Sequence, residues 1–179
     1  MRYTYRALVM SVGILGLLGS GHRNARAGES EYDRETLKGL QGVEVVVENL
    51  DQDIERTVLT KGQIQTEVEV LLRHAGVAVL SREEDLEAPG RPYLYVNVNI
   101  FKPGAEPLYV YALAVELRQG VRLARDQEVL CFAATWSTGY VGIVGSNKLQ
   151  EIRAHLADDV DEFANAYLAV NADSKKRGQ

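Results

Sequence analysis

The sequence predicts an α+β protein, a two-layer sandwich in which two helices pack on one face of a mixed, mostly antiparallel sheet. Residues 108–123 alternate between apolar and polar side chains, which is the period of a half-buried strand. Residues 42–80 have the pattern of a β-α-β unit, and residues 149–167 have the pattern of a long amphipathic helix. Each helix needs an apolar sheet face to cover, which favours two layers.

The β-α-β unit begins with a β-branched run at residues 42–50, predicted to be the first strand. Thr60 and Gln63 match a capping box, and Gly76 is a left-handed stop, so a helix is predicted between them. Residues 77–80 are predicted to form a short buried second strand, parallel to the first through a right-handed crossover. The helix has apolar positions at Ile64, Val68, Leu71, Leu72 and Ala75.

Three further strands are predicted at residues 93–101, 108–123 and 128–140, and their short links indicate an antiparallel meander. In the middle strand Leu113, Val115 and Leu117 are expected to be buried, with Glu116 and Arg118 on the opposite side. Gly120 is expected to mark a bulge. Residues 51–59 and the charged residues 81–92 are predicted to be loops.

The glycines of residues 139–145 predict a loop, and Ser146 is a predicted cap for the last helix. The opposite face of that helix is predicted to be polar, with Asp158, Asp159, Asp161 and Glu162. Residues 28–171 are therefore predicted to be a single domain, followed by a flexible polar tail at residues 172–179. The apolar stripe of the helix consists of Leu149, Ile152, Leu156, Val160, Phe163 and Tyr167.

Residues 1–27 have the three parts of a secretory signal peptide. Arg2 and Arg6 precede an apolar run at residues 7–19, and residues 25–27 read Ala-Arg-Ala. The run is short for a membrane span, so cleavage after Ala27 and export to the periplasm or medium are predicted, with an uncleaved anchor as the alternative. No cysteine follows the run, since Cys131 is the only one, and lipid attachment there is excluded.

Removal of residues 1–27 leaves 16 basic and 25 acidic residues, because four of the 20 basic residues are lost, and the net charge becomes −9. A chain this acidic has no general attraction to nucleic acid or anionic lipid. The single cysteine forms no internal disulfide, so the predicted fold depends on its core alone.

No pattern in the sequence predicts a catalytic, metal or cofactor site. Residues 136–148 lie between a strand and a helix but lack the spacing of phosphate-binding or dinucleotide-binding loops. Cys131 is expected to be a small buried hydrophobe. The alternative, a small exported hydrolase, would need Ser137, His155 or the Asp158–Asp159 pair to form an unrecognised site.

Tyrosine is the most unusual feature of the composition, with nine residues against three Phe and one Trp. Tyr93, Tyr95, Tyr109 and Tyr111 fall on two strands predicted to be neighbours. A face lined by these rings would dock a ligand or a partner, whereas simple cross-strand packing is the alternative. These four tyrosines are the predicted binding face.

The order strand, helix, strand, meander and terminal helix resembles two bacterial envelope families, the amino-terminal domain of the Tol-Pal translocation protein B and the lipopolysaccharide-assembly lipoprotein. Residues 161–171 look like the helix end of an uncharacterised family of exported bacterial proteins. The resemblance implies an envelope domain but assigns no functional residue. Together these features predict a non-enzymatic exported binding or assembly module whose partner is an envelope protein or small ligand. Its oligomeric state is left open.

Overall fold

A computed structural model describes residues 30–57 and 59–172. The predicted signal peptide and residues 173–179 of the predicted tail lie outside this part of the chain. The elements, in chain order, are α1 (Glu31–Glu35), β1 (Glu44–Val47), α2 (Gln52–Thr57), α3 (Lys61–His74), α4 (Arg82–Glu87), β2 (Tyr93–Phe101), β3 (Leu108–Leu123), β4 (Asp126–Gly145) and α5 (Gln150–Asn171). Among them, no helix is long and apolar enough to cross a bilayer.

The four strands form one sheet in the order β1-β2-β3-β4. The strand β1 is parallel to β2, while β2, β3 and β4 are a meander of antiparallel pairs. The helices α3 and α5 pack on the same face of this sheet, with α3 against β1 and α5 against β3 and β4. The predicted α+β class, with a mixed, mostly antiparallel sheet covered on one face by two helices, is confirmed.

The core lies between this covered face and the two helices. Leu113, Val115 and Leu117 are buried, as predicted, and Glu116 and Arg118 lie on the opposite face. The rings of Trp136 and of Phe163 on α5 make a T-shaped contact, with their centroids 5.2 Å apart. Burial of these side chains is the main favourable contribution to the stability of the fold.

The predicted second strand is wrong. Residues 77–80 make only a single parallel bridge, Val43 to Val79, at the outer side of β1. Val43 donates to the carbonyl of Ala78 at 3.0 Å, and its own carbonyl accepts from Leu80 at 2.9 Å. Ser81 then caps α4 and turns the chain away, so the parallel partner of β1 is β2.

Two of the predicted loops contain helices, α2 in residues 51–59 and α4 in residues 81–92. The N-terminus of α4 is a capping box formed by Ser81 and Glu84, the motif that the sequence also shows at Thr60. The high charge of this segment suggested a solvated loop. However, three acidic residues in the first turn favour a helix, because they interact with its dipole.

The predicted loop at residues 139–145 is also wrong, because β4 continues to Gly145. A β-carbon at Gly139 would lie 2.5 Å from the carbonyl oxygen of Leu113, and one at Gly142 would lie 2.6 Å from the Tyr111 hydroxyl. These glycines therefore permit close packing within the sheet. The helix α5 begins at Gln150, and its N-cap position is Leu149 and not Ser146.

The irregularity predicted at Gly120 lies three residues earlier, where the β3–β4 register shifts between Leu117 and Arg118. Gly120 instead permits a close contact with the loop before β2. Its amide donates to the carbonyl of Gly90 at 2.7 Å, and a β-carbon at Gly120 would lie 3.3 Å from that oxygen.

The end of α5 is bonded to the turn that follows α1. The buried side chain of Asn171 donates to the carbonyl of Leu37 at 2.9 Å and accepts from the amide of Gly39 at 2.8 Å. The hydroxyl of Tyr167 donates to the carbonyl of Leu40 at 3.0 Å. We call this set of bonds the terminal clasp.

Candidate binding face

The face of the sheet opposite α3 and α5 is not covered by a helix in the described part of the chain, and we call it the open face. The strand register sets its rows, which run across β2, β3 and β4. One row contains Tyr95, Glu116 and Ser137. Successive rows towards one end contain Asn97, Ala114 and Gly139, then Asn99, Ala112 and Val141, then Phe101, Val110 and Ile143. In the other direction, Tyr93 lies beside Arg118.

A cleft of about 310 Å³ opens on this face near the start of β2. Three arginines line it and no acidic residue does, and two of them, Arg118 and Arg82, are ion-paired with Glu116 and Glu44 beside the cleft. We call it the arginine cleft. Its lining consists of Val46, Arg82, Arg91, Tyr93, Tyr95, Arg118 and Phe132.

Arg118 is the most firmly held of the three cations. Its Nε and Nη2 atoms donate to one oxygen of Glu116 at 2.8 and 2.7 Å. Its guanidinium lies 3.8 Å from the centroid of the Tyr95 ring, in a cation–π contact. The β3–β2 register that places Glu116 beside Tyr95 thus fixes the position of the charge at the floor of the cleft.

Arg82 and Arg91 approach the cleft from α4 and from the loop that follows it. Arg82 donates to Glu44 at 2.8 Å, and this bond and the charge of Glu44 raise the pKa of Arg82. Arg91 has a φ of 48°, an uncommon conformation for a residue other than glycine, and its guanidinium lies 5.7 Å from the centroid of the Phe132 ring. The adjacent contact of Gly90 with Gly120 holds this loop against β3.

Asp85 lies beneath these two arginines and is almost fully buried, with 1 % of its surface exposed. Its Oδ2 atom is 3.9 Å from Arg82 and from Arg91, beyond hydrogen-bond distance. Within the described residues, neither its Oδ1 atom nor the Nε atom of Arg91 has a hydrogen-bond partner. Burial raises the pKa of Asp85, with a further contribution from Glu44, and the two arginines lower it only in part. Asp85 is therefore too far from both arginines for a hydrogen bond, and Arg82 is paired with Glu44 instead.

The prediction that four tyrosines line one face is wrong, because they lie on opposite faces of the sheet. Tyr93 and Tyr95 are on the open face and line the arginine cleft. Tyr111 is buried on the covered face, and Tyr109 packs against the core there. Tyr111 and Tyr109 are two and four residues before Leu113, so the period of two places them on the same side of β3 as Leu113. That side is the one that the helices cover.

A second concavity, of about 280 Å³, lies where the open face meets the start of α2. Its lining includes Phe101, Val110, Ala112 and Val141, with Asp51 and Asn99 as its polar members, and Ile143 stands next to Val110. The exposed fractions of Phe101, Val141 and Ile143 are 67, 55 and 66 %. Apolar side chains grouped in this way mark an interaction site more often than scattered ones do. We call this region the apolar end.

Two larger concavities, of about 630 and 640 Å³, lie on helix surfaces. Arg34 and the charged side of α5 line one, and the N-terminal part of α3 with Arg153 lines the other. Neither brings together like charges and aromatic rings as the arginine cleft does, so we place the candidate site on the open face despite their size.

The residues considered for a hydrolase are not assembled into one site. Ser137 is exposed on the open face beside Glu116, whereas His155 is on α5, which packs on the covered face. The Nδ1 atom of His155 is 2.6 Å from the Tyr111 hydroxyl, and the His155 ring stacks on Tyr140 at 4.1 Å. Burial raises the pKa of Tyr111, and so does its neighbour Tyr140, so this hydroxyl is a poor nucleophile at neutral pH.

Asp158 is exposed, as predicted for the polar side of α5, but Asp159 is buried with 2 % of its surface exposed. The prediction that Asp159 belongs to a solvated face is therefore wrong, because that position borders the core next to Val160. The half-buried Cys131 lies on β4 opposite Val121. Within the described residues, no group of three or more His, Cys, Asp or Glu side chains is placed to hold a metal ion.

Comparison with known proteins gives one distant structural match to report. No protein-family model matches the chain, and no curated protein matches it. Among solved structures, the chain is similar to a PelC variant from Paraburkholderia phytofirmans, which was solved as a dodecamer. The two chains are 12 % identical, the match covers 80 % of this chain and 96 % of the other, and the TM-score is 0.45. A similarity this distant carries no argument about function.

Proposed function

We propose that the protein is an exported, non-enzymatic binding module of the bacterial envelope and that it binds an anionic ligand in the arginine cleft. The observation that carries the proposal is the convergence of Arg82, Arg91 and Arg118 on one concavity whose lining contains no acidic residue. Planar guanidinium groups suit carboxylates and phosphates because they donate two parallel hydrogen bonds.

The surroundings of the cleft support binding of a specific ligand rather than diffuse attraction. The chain as a whole is acidic, with a net charge of −5, so a local cationic surface is not a consequence of its composition. Tyr93, Tyr95 and Phe132 add ring surface beside the charges. A small number of fixed polar groups within an apolar lining is the usual form of a ligand pocket.

A titration with butyrate, a small carboxylate, tests the anion site. We expect saturable changes in the NMR signals of the Tyr93 and Tyr95 rings, with an affinity that falls as salt is added. Arg118→Gln should weaken butyrate binding about tenfold, because a charge-assisted hydrogen bond contributes about 1.5–3 kcal/mol. Arg125→Gln, on the exposed turn between β3 and β4, is the matched control and should leave binding unchanged.

Two results would overturn the anion site. In one, butyrate causes no saturable change at Tyr93 or Tyr95. In the other, Arg118→Gln and Arg125→Gln reduce binding equally, in which case the attraction depends on total charge and not on the cleft.

Export is tested separately, since it rests on residues 1–27 alone. Residues 1–27 have the parts of a cleaved leader, namely a basic start, a short apolar run and an Ala-Arg-Ala end. We expect amino-terminal sequencing of the protein from an envelope fraction to begin at Gly28. Recovery of a soluble form that begins at Met1 would contradict this part of the proposal.

A further inference from the structure

The open face carries an apolar path from the row of Glu116 to the apolar end, and the row of Tyr95, Glu116 and Ser137 separates this path from Arg118 in the arginine cleft. Between the row of Glu116 and the row of Val110, the β3 and β4 positions are small or apolar and at least partly exposed. We call these four positions the apolar track. They are Ala114, Gly139, Ala112 and Val141.

The polar side chains of the neighbouring strands are bonded to one another and not to the track. Asn99 donates to the side chain of Asn97 at 2.6 Å, and Asn97 donates to Glu48 at 2.6 Å. Tyr95 also donates to Glu48, and this hydrogen bond is the largest contribution that raises the pKa of Tyr95. The polar side chains near β1 and β2 thus hydrogen-bond to one another, and the four positions of the track on β3 and β4 are left apolar.

The dimensions of this path match one alkyl chain. Arg118 and Ala112 are six residues apart on β3, which corresponds to about 20 Å along an extended strand. The arginine side chain shortens the distance that a ligand must span. Half of a bilayer core, the length of one acyl chain, is about 15 Å. A chain whose head group lies in the cleft would therefore reach the concavity lined by Ala112 and Val141.

We propose that the open face binds an amphiphile with one anionic head group and a single alkyl chain. This rests on the proposed function in so far as the arginine cleft holds the head group. The alkyl chain lies along the apolar track and ends at Ala112 and Val141. The two concavities, of about 310 and 280 Å³, each have the volume for one part of such a ligand and not for a whole large molecule.

This ligand explains two features that an anion alone leaves unexplained. Val141 is 55 % exposed in the free protein, and an alkyl chain would remove its apolar surface from water. The cleft and the exposed apolar side chains also lie on the same face, which a small hydrophilic anion would not require.

The test compares probes that differ in one property each, at concentrations below micelle formation. Laurate has a carboxylate and a long chain, butyrate has the same head group with a short chain, and dodecyltrimethylammonium has the long chain with a cationic head. We expect laurate to bind at least about tenfold more tightly than butyrate, since burial of two methylenes already gives that factor. Dodecyltrimethylammonium should bind at least about tenfold more weakly than laurate.

Two substitutions of exposed apolar residues on β4 locate the chain. Val141→Ser, on the apolar track, should weaken laurate binding several-fold and leave butyrate binding unchanged. Leu130→Ser is the matched control, because Leu130 is 61 % exposed on the same strand but lies beyond the other side of the cleft. Neither change removes a buried side chain, so both variants should fold.

The outcomes separate this inference from the proposed function. If butyrate binds in the cleft but laurate binds no more tightly, the anion site stands and the amphiphile is excluded. If laurate and dodecyltrimethylammonium bind equally, the anionic head group contributes nothing and the inference is overturned, while the butyrate titration still decides the anion site. If Val141→Ser abolishes a dimer seen by sedimentation while laurate does not bind, the open face is an interface between copies and the inference is overturned.

Discussion

Replacement of Leu117 by alanine tests the core most directly. Leu117 is fully buried on β3, opposite Leu94 on β2 and Trp136 on β4. Its removal leaves a cavity that these neighbours on the sheet fill only in part. Leucine-to-alanine changes of this kind cost about 2–5 kcal/mol. For a described chain of about 140 residues, roughly 3 °C per kcal/mol gives a decrease of about 6–15 °C in melting temperature.

Urea unfolding followed by Trp136 fluorescence would measure this loss of unfolding free energy, because Trp136 is the only tryptophan. The m-value should not change, since the surface exposed on unfolding stays nearly the same. Leu130→Ala is a control with the same chemistry at an exposed position and should change the unfolding free energy by less than about 0.5 kcal/mol. A loss below about 0.5 kcal/mol for Leu117→Ala, or equal losses for the two variants, would refute the assignment of the buried face.

Three further predictions follow from single contacts. Burial raises the pKa of Asp85 in the folded chain, so its ionisation destabilises the fold as the pH rises from the unfolded pKa through the folded one. Asp85→Asn should therefore gain stability relative to the parent as the pH rises above the unfolded pKa of about 4, and a pH-independent difference in urea unfolding would contradict this. Gly139→Ala should destabilise by about 1–3 kcal/mol because its β-carbon would meet the β3 backbone. Gly62→Ala, with no neighbour within 4 Å and a helical position, should stabilise by up to about 1 kcal/mol, and thermal melts that rank the two the other way would be inconsistent with the packing of β4. Asn171→Ala should cost about 1–3 kcal/mol by leaving buried backbone groups unpaired, whereas the exposed Asn165→Ala on the same helix should be nearly neutral in the same melts.

The sequence predicts those elements whose local pattern agrees with their environment in the fold. The capping box at Thr60 and the left-handed Gly76 delimit α3, and both are present in the structure. The alternation of β3 correctly assigns Leu113 to the covered face. In these cases local geometry and burial favour the same structure, which is why a single sequence suffices.

The errors occur where tertiary contacts override local preference. Gly139 and Gly142 have the composition of a loop, but their lack of a side chain permits the close packing of β3 and β4. The assignment of Tyr93 and Tyr111 to one face failed for a related reason. Alternation determines which residues share a side within a strand, and only the strand pairing and the helices determine which side of each strand is open.

The arginine cleft was not predicted because its residues come from separate parts of the chain. Arg82 and Arg91 lie within the segment predicted to be a loop, residues 81–92, and Arg118 was recognised only as a polar position on β3. Part of the signal was present, since Arg118 and Glu116 alternate with buried residues and so had to lie on the face opposite Leu117. The pairing of Arg118 with Tyr93, which brings the cation to the tyrosines, depends on a register that hydrophobic pattern alone does not determine.

The terminal clasp has a consequence for the order of folding. Its bonds join residues that are 127 to 134 positions apart, so they form only after nearly the whole described chain has been synthesised. Contacts of such high sequence separation are entropically costly to close and tend to slow folding. Until α5 emerges, the segment from Leu37 to Leu40 has no hydrogen-bond partner from that helix, and a growing chain lacks the terminal clasp. We therefore expect closure of the clasp to be a late step, after the β2–β3–β4 meander has formed from its more local contacts.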